Sequence, residues 1–580
     1  MSKKTKLELT WIGKENRPRL EPRILIPDDT KSHHAKHRVS ESDIFDNRLI
    51  FGDNLLALKA LEQEFTGKVK CVYIDPPFNT QQAFEHYDDG LEHSLWLSLI
   101  RDRLELLHRL LNTDGSLFVH IDDNELGYLI VLLDEIFGRA NRLYIITFKQ
   151  GSATGHKSIN PGCVSTTNFL LIYAKNKNSW NPNRIFTARE RDDRYGQFIE
   201  NISEPCSGWR ITTLMKGFSQ ASRISEKEAR ALVKANPKLL DDFVAQNAQS
   251  VTQMARPDYD AVSAEARKMI DESSRRPDEV LEMQRPGYST FYLKAGKRIL
   301  FYSDKLKLID GTWQTGEPLT TLWADILSNN LHAEGSIEFP KSKKPEALIK
   351  RVLELSTNPG DLVLDSFLGS GTTAAVAHKM GRRWIGIELG EHCHTHCIPR
   401  LRKVIDGEDA SGITEAVGWK GGGGFRYYRL APSLLTQDKW GQWVISKDYN
   451  APMLAEAVCK HENFTYAPSE TAYWQHGHST ERDFIYVTTA SLSHEQLQEL
   501  SEEVGPDRTL LVVCSAFRGR KEGYSNLTIK KIPSSVLTRC EWGHDDYSLK
   551  VENLPTAPPP TPKTDAKTGQ QSLFAEEGEA

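Results

Sequence analysis

From Arg48 onward, short apolar runs alternate with amphipathic stretches along the chain. RLIFGD predicts a short strand closed by Gly52, and NLLALKALEQEF carries its apolar residues at helical spacing. KVKCVYID reads as a buried strand, and HSLWLSLIRDRLELLHRLL as a long amphipathic helix. GSLFVHID predicts a strand after a glycine turn, and ELGYLIVLLDEIFG a further helix. Strands alternating with helices in this order predict an α/β domain built on a parallel sheet.

The rhythm breaks around Lys149. KQGSATGHKSINPGCVSTTN is a long loop rich in Gly, Ser, Thr and Asn, after which FLLIYAKN returns one strand. Between residues 181 and 335 the pattern is irregular, with many Arg, Trp and Tyr and a near balance of acids and bases. The α/β pattern resumes at KKPEALIKRVLELS, DLVLDSF, TTAAVAHKM and RRWIGIEL, and GGGG at 421–424 reads as a hinge. DFIYVTT, SHEQLQELSEEV and TLLVVCSAF predict one more α/β unit. The expected organisation is therefore an arm at 1–45 and a core split into 46–180 and 336–424 by a lobe at 181–335. A C-terminal α/β domain follows at 425–550, then a Pro-rich polar tail at 551–580 with too little apolar surface to fold.

Composition sets the class. At 580 residues the chain exceeds what one core organises, so about two to four domains are expected. No apolar run approaches the roughly 18 residues of a membrane-spanning helix, and the start, MSKKTKLELTWIGKENRPRLEPR, lacks the apolar core of a signal peptide. Eight cysteines without a paired framework suit a reducing cytoplasm. A net charge of −5 means that any nucleic-acid surface is a local basic face.

Two stretches carry chemistry. In VYIDPPFNT a buried strand ends on Asp75, and Pro76, Pro77 and Phe78 follow at once. Two prolines fix φ and remove two donors, leaving the Pro76 carbonyl free to accept. A carboxylate and a carbonyl held together grip a planar NH₂ group, and Phe78 offers a face for stacking a heterocycle. In DLVLDSFLGSGTTAAVAHKMGRRWIGIEL a strand ends at Asp365, a turn with Gly369 and Gly371 leads into a helix at Thr372, and a second strand ends in Glu388. Glycines allow close backbone approach to a ligand, and a terminal acid suits ribose hydroxyls. Neither the dinucleotide pattern nor a phosphate loop is present, which favours a nucleoside ligand without a polyphosphate. If the two strands are neighbours, their carboxyl ends share one crevice.

Together these motifs resemble the β-class adenine-N6 DNA methyltransferases, and are similar to the modification (Mod) subunits of Type III restriction systems. The resemblance covers residues 48–430, with VYIDPPFNT, FLLIYAKN, FPKSKKPEALIKRVL and DSFLGSGTT in the order of the β class. It implies a Rossmann-like fold and direct methyl transfer from S-adenosylmethionine to adenine N6, without a metal. The amine would be held by Asp75 and the Pro76 carbonyl, beside Pro77, with Phe78 stacking on a flipped base. Asp365, Phe367, Gly369, Gly371, Thr372 and Thr373 would line the cofactor site, and Glu388 would bind the ribose. Asp53 matches an acid near the cofactor's adenine, and Lys344 and Pro345 match a helix closing over its methionine end. The lobe at 181–335 occupies the target-recognition position. Double-stranded DNA, a second copy of the chain and a restriction or helicase subunit are the implied partners. Two other readings share the motifs: a non-catalytic DNA-recognition subunit, separated by turnover, and an RNA amino-methyltransferase, separated by substrate competition.

Other signals have plainer accounts. EHCHTHC (His392 to Cys397) has a metal-like composition but reads as a helix packing small residues on the sheet. CSAFRGR has phosphatase-loop spacing from Cys514 to Arg520 but reads as a strand with a buried cysteine. Pro205-Cys206 is a chance dipeptide in the irregular region. GQQSLF, Gln570 to Phe574, resembles the peptide by which bacterial proteins hold the replication sliding clamp.

Overall fold

The computed structural model describes residues 8–77, 89–151, 162–285, 287–309, 311–326, 334–335, 337, 343–518 and 523–548. Phe78, the tail at 551–580 and its Gln570–Phe574 motif lie outside them. Eleven strands form the principal sheet: β1 (Leu25–Pro27), β2 (His33–His34), β3 (Asn47–Phe51), β4 (Val69–Ile74), β5 (Leu111–Ile121), β6 (Arg142–Lys149), β7 (Thr167–Ala174), β8 (Leu322–Trp323), β9 (Leu362–Asp365), β10 (Arg383–Glu388) and β11 (Gly424–Leu430). Their order is β1-β11-β3-β10-β9-β4-β5-β7-β6-β8, with β2 beside β11. The run from β11 to β5 is parallel, as the sequence rhythm predicts. β5–β7 and β6–β7 are antiparallel, so the sheet is mixed.

Alternation along the strands divides the interior into two layers. Val72 and Ile74 face α1 (Asn54–Phe65) and α2 (Asp89–Leu110), whereas Cys71 and Tyr73 face α4 (Glu346–Ser356), α5 (Thr372–Lys379) and α6 (Ile398–Ile405). α3 (Leu126–Leu133) joins the first layer through Leu129, Leu132 and Leu133. Burial on both faces is why these strands read as continuous apolar runs.

Three boundaries differ from the sequence reading. β1 and β2 pair with β11, so the expected arm is part of the sheet. β11 itself pairs in parallel with β3, placing 425–430 in the core sheet and not in the C-terminal unit. The glycine run is no hinge: a Cβ at Gly421 would meet the Gly407 nitrogen at 2.9 Å, and one at Gly423 the Ile44 carbonyl at 2.6 Å. These glycines permit close packing and positive φ rather than motion.

The lobe between β7 and β8 is ordered. It holds an antiparallel six-stranded sheet, a three-stranded sheet and a core around Tyr195, Leu214, Phe218 and Tyr302. Beyond β11, the C-terminal unit has a five-stranded sheet in which 483–487, 509–514 and 527–531 run parallel, as expected for an α/β unit. No helix among the described residues is long and apolar enough to cross a membrane.

Candidate active site

The conditional in the sequence reading is met. β9 pairs with β4 in parallel, with Val363 opposite Cys71 and Leu364 opposite Val72. Asp75 and Asp365 therefore leave the sheet side by side. From β4 the chain crosses to β5 on one side, and from β9 to β10 on the other. This is the switch point at which open α/β sheets bind ligands. A cavity of about 540 Å³ opens there, lined by Asp75, Pro76, Pro77, Lys344, Asp365, Phe367, Gly369, Thr372, Thr373 and Glu388.

At the β4 side, Asp75 Oδ2 lies 2.7 Å from Lys344 Nζ. Oδ1 is buried and has no hydrogen-bond partner among the described residues. Burial pushes the Asp75 carboxyl up, and Lys344 draws it back only in part. The Pro77 carbonyl accepts from Trp96 Nε1 at 2.8 Å, which fastens the proline pair to α2. Lys344 thus meets the Asp75 acid as well as lining the cavity.

At the β9 side, Asp365 Oδ1 accepts the Phe367 N–H at 2.9 Å and Oδ2 the Thr373 hydroxyl at 2.6 Å. Burial outweighs both bonds and raises its carboxyl to about 7. Gly369 and Gly371 have φ of +57° and +80°, a region that side chains disfavour. Gly371 caps α5 behind the cavity, where a Cβ would sit 3.4 Å from the Cys397 Cα. Glu388 ties the turn to β10: Oε2 accepts the Gly369 N–H at 2.7 Å, and Oε1 accepts from Leu389 and Gly390 at 2.9 Å each. Oε2 keeps a lone pair for a ligand hydroxyl. His392 Nε2 stands 2.9 Å from Glu388, which raises its pKa.

Besides Gly371, two expected cofactor residues, Pro345 and Asp53, stand outside the cavity wall. Pro345 begins α4. Asp53 caps α1, its Oδ1 accepting from Leu55 and Leu56 at 2.9 and 3.1 Å. Its Oδ2 accepts the Tyr547 N–H at 3.0 Å, with Arg103 Nη2 at 3.4 Å. Asn54, the next residue, lines the cavity instead.

Tyr547 belongs to a segment that sequence reasoning missed. Buried Arg23 donates to the His544 carbonyl at 2.7 Å and pairs with Asp545 at 2.5 Å, and Ser548 reaches the cavity wall. The C-terminal unit therefore completes the site. Tyr547→Pro removes one N–H donor to a buried carboxylate. It is expected to cost about 1.5–3 kcal/mol relative to Tyr547→Ala in chemical denaturation.

The weaker motifs resolve into packing. Cys393 and Cys397 are buried in the second layer, and Cys397 Sγ donates to the Gly369 carbonyl at 3.0 Å. Cys514 is a buried strand cysteine, and Arg520 lies outside the described residues. Cys206 sits in the lobe, its thiol raised by burial and Glu282.

The DNA methylase family N6_N4_Mtase matches residues 69–398, more than half of the chain. The chain belongs to this family. A Haemophilus influenzae protein named as the probable type III restriction-modification enzyme HindVI Mod subunit is 36% identical over 418 residues, covering 68% of this chain and 55% of that protein. The EcoPI Mod subunit of Escherichia phage P1 is 29% identical over 65% of this chain and 61% of its own length. The match thus spans a little over half of each relative. The crystal structure of the M1.HpyAVI–SAM complex aligns with 61% of this chain and all of that one, at 15% identity and a TM-score of 0.29.

Proposed function

We propose that this chain transfers a methyl group from S-adenosylmethionine to adenine N6 at a specific site in duplex DNA, as the modification component of a restriction or anti-phage system. One observation carries the reading. Asp75, with a buried oxygen free of hydrogen bonds among the described residues, and the Asp365–Glu388 glycine turn open from adjacent parallel strands into one cavity.

The residues fit the cofactor. The cavity is of nucleoside-binding size, its turn is built on left-handed glycines, and Asp365 and Glu388 offer carboxylates to a cationic, hydroxyl-bearing ligand. Asp365, Phe367, Gly369, Thr372, Thr373 and Glu388 would hold it. When bound, it supplies an electrophilic methyl group on a sulfonium. Asp75 Oδ1 and the Pro76 carbonyl accept the two N–H bonds of the adenine amine and turn its lone pair out of the ring plane. Lys344 holds the other Asp75 oxygen, so the carboxylate cannot rotate away. One amine proton leaves on methylation, and Asp75, raised by burial, is the hydrogen-bonded acceptor for it. Rate then rests on positioning and electrostatics.

The lobe takes the recognition role in this reading. Exposed Trp313 on its edge hairpin offers a stacking face. A second copy of the chain and a DNA-cleaving or helicase subunit complete the system, a reading supported by relatives named as Mod subunits of type III restriction-modification enzymes. The test is incubation with bacterial DNA lacking N6-methyladenine, followed by digestion to nucleosides and mass analysis. N6-methyldeoxyadenosine is expected; N4-methyldeoxycytidine, or methylation of RNA in preference to DNA, would overturn the assignment.

Asp365 gives the binding step a pH signature. Its carboxyl titrates at about 7, so below that pH a cationic ligand must displace its proton. Affinity for S-adenosylmethionine is expected to fall by up to about tenfold per pH unit below 7 and to level above 8. Calorimetric titrations across that range check it, and a flat profile would contradict it. The sign for stability is opposite. The unfolded carboxyl loses its proton near 4, so the free fold loses stability as pH rises from there to about 7.

A further inference from the structure

Behind Asp75 stands a buried pair that the reaction as described does not use. His120, near the end of β5, is fully buried, and Asn168, on the antiparallel neighbour β7, is nearly so. Asn168 Nδ2 lies 2.9 Å from His120 Nε2. On the other edge of the ring, His120 Nδ1 lies 3.3 Å from the Tyr73 hydroxyl and 3.5 Å from Asp75 Oδ1. Oδ1 is the oxygen left to grip the amine. An amide nitrogen only donates, so Nε2 must accept, and the single proton of a neutral ring sits on Nδ1.

We propose that His120 is a positioning residue for Asp75, and that Asn168 sets its tautomer so that an N–H dipole always faces the amine-binding oxygen. This deepens the methyltransferase reading and rests on it. The Nδ1–H faces Oδ1 at 3.5 Å, beside the Tyr73 hydroxyl at 3.3 Å, without closing a hydrogen bond on it, while Lys344 holds Oδ2 from the other side, which favours one orientation of the carboxylate against the Pro76 carbonyl. Among the described residues, the groups facing the ring include Asp75 and Tyr73 from β4, Asn168 from β7, Phe148 from β6 and the nearby Lys344 ammonium. Burial and the Lys344 charge hold the imidazole well below its ordinary range, so the ring stays neutral at working pH.

Asn168→Asp tests the tautomer directly. A carboxylate at 168 accepts from Nε2 and raises the imidazole pKa. At low pH the doubly protonated ring still offers Nδ1–H to Asp75. Above the new pKa the proton stays on Nε2, and a lone pair faces Asp75 Oδ1. The variant's kcat is therefore expected to fall about 10-fold or more as pH rises through that value, relative to the wild type at each pH. His120→Ala should lower kcat about 10²-fold at unchanged S-adenosylmethionine affinity. His120→Asn, whose amide nitrogen replaces Nδ1–H, should recover most of it. An Asn168→Asp profile parallel to the wild type, or His120→Ala with wild-type kcat, would overturn the proposal. Calorimetric cofactor binding by each variant separates misfolding from a lost role, and Asn168→Asp decides if His120→Ala does not fold. A wild type that fails to methylate DNA would instead remove the underlying function.

Discussion

Asp75→Ala is expected to lower kcat for DNA methylation by at least about 10²–10³-fold, with the Kd for S-adenosylmethionine within about threefold of wild type. The split follows from geometry. Asp75 stands at the β4 side of the cavity, whereas Asp365 and Glu388 stand at the β9 and β10 side, and no hydrogen bond joins Asp75 to the glycine turn among the described residues. Removing the carboxylate takes away the amine acceptor and frees the Lys344 ammonium to approach the target nitrogen, where it repels developing positive charge. Asp75→Asn keeps the shape but presents an amide whose NH₂ can face the substrate amine, so a comparable loss is expected. Single-turnover methylation beside calorimetric binding separates the two effects. An equal fall in cofactor affinity would place Asp75 in ground-state binding instead.

The largest stability effect is expected at Glu346. Its side chain is fully buried between Arg400, 2.7 Å from Oε1, and Lys379, 2.8 Å from Oε2, both also fully buried. The Ile413 N–H adds a third bond at 3.0 Å, and Lys379 reaches Asp409 at 2.8 Å. Glu346→Ala leaves buried Arg400 without the carboxylate at 2.7 Å and Lys379 with Asp409 alone, and should destabilise the core by about 3–5 kcal/mol. Arg400 also donates to the Thr372 hydroxyl at 2.8 Å and to the Ser370 carbonyl at 3.3 Å, so this network buttresses the glycine turn. Cofactor affinity should weaken along with stability. Denaturant unfolding followed by the buried Trp384 reads the core transition; a shift under 1 kcal/mol would contradict the account.

Much of this site was legible in the chain because its chemistry is local. Asp75-Pro-Pro and Asp365 to Thr373 are short motifs at strand ends, and the turn residues reveal themselves by type. Their adjacency was legible only as a condition, since nothing in either motif says that β9 lies between β10 and β4. His120 and Asn168 were hidden for a related reason. They are polar residues at the ends of the apolar runs of their strands, 48 positions apart, and only the antiparallel pairing of β5 with β7 brings them together. The contact of Arg23 with His544 spans 521 positions and leaves no local trace. Asp53 caps α1 in the structure, a role the sequence does not separate from that of a ligand acid, since both are acids after a strand and a glycine. The glycine run at 421–424 misled in the other direction, since conformational freedom and close packing both select glycine. The lobe read as irregular because strands such as Gln197–Ile199 and Ile211–Thr213 are too short to show a period.

The most direct test of the account is a crystal structure of the full chain with S-adenosylhomocysteine. The account predicts the ligand in the cavity between Asp365 and Glu388, its ribose on Glu388 and its sulfur facing Asp75 across the β4–β9 crevice. A ligand bound elsewhere, or one whose sulfur points away from Asp75, would contradict it.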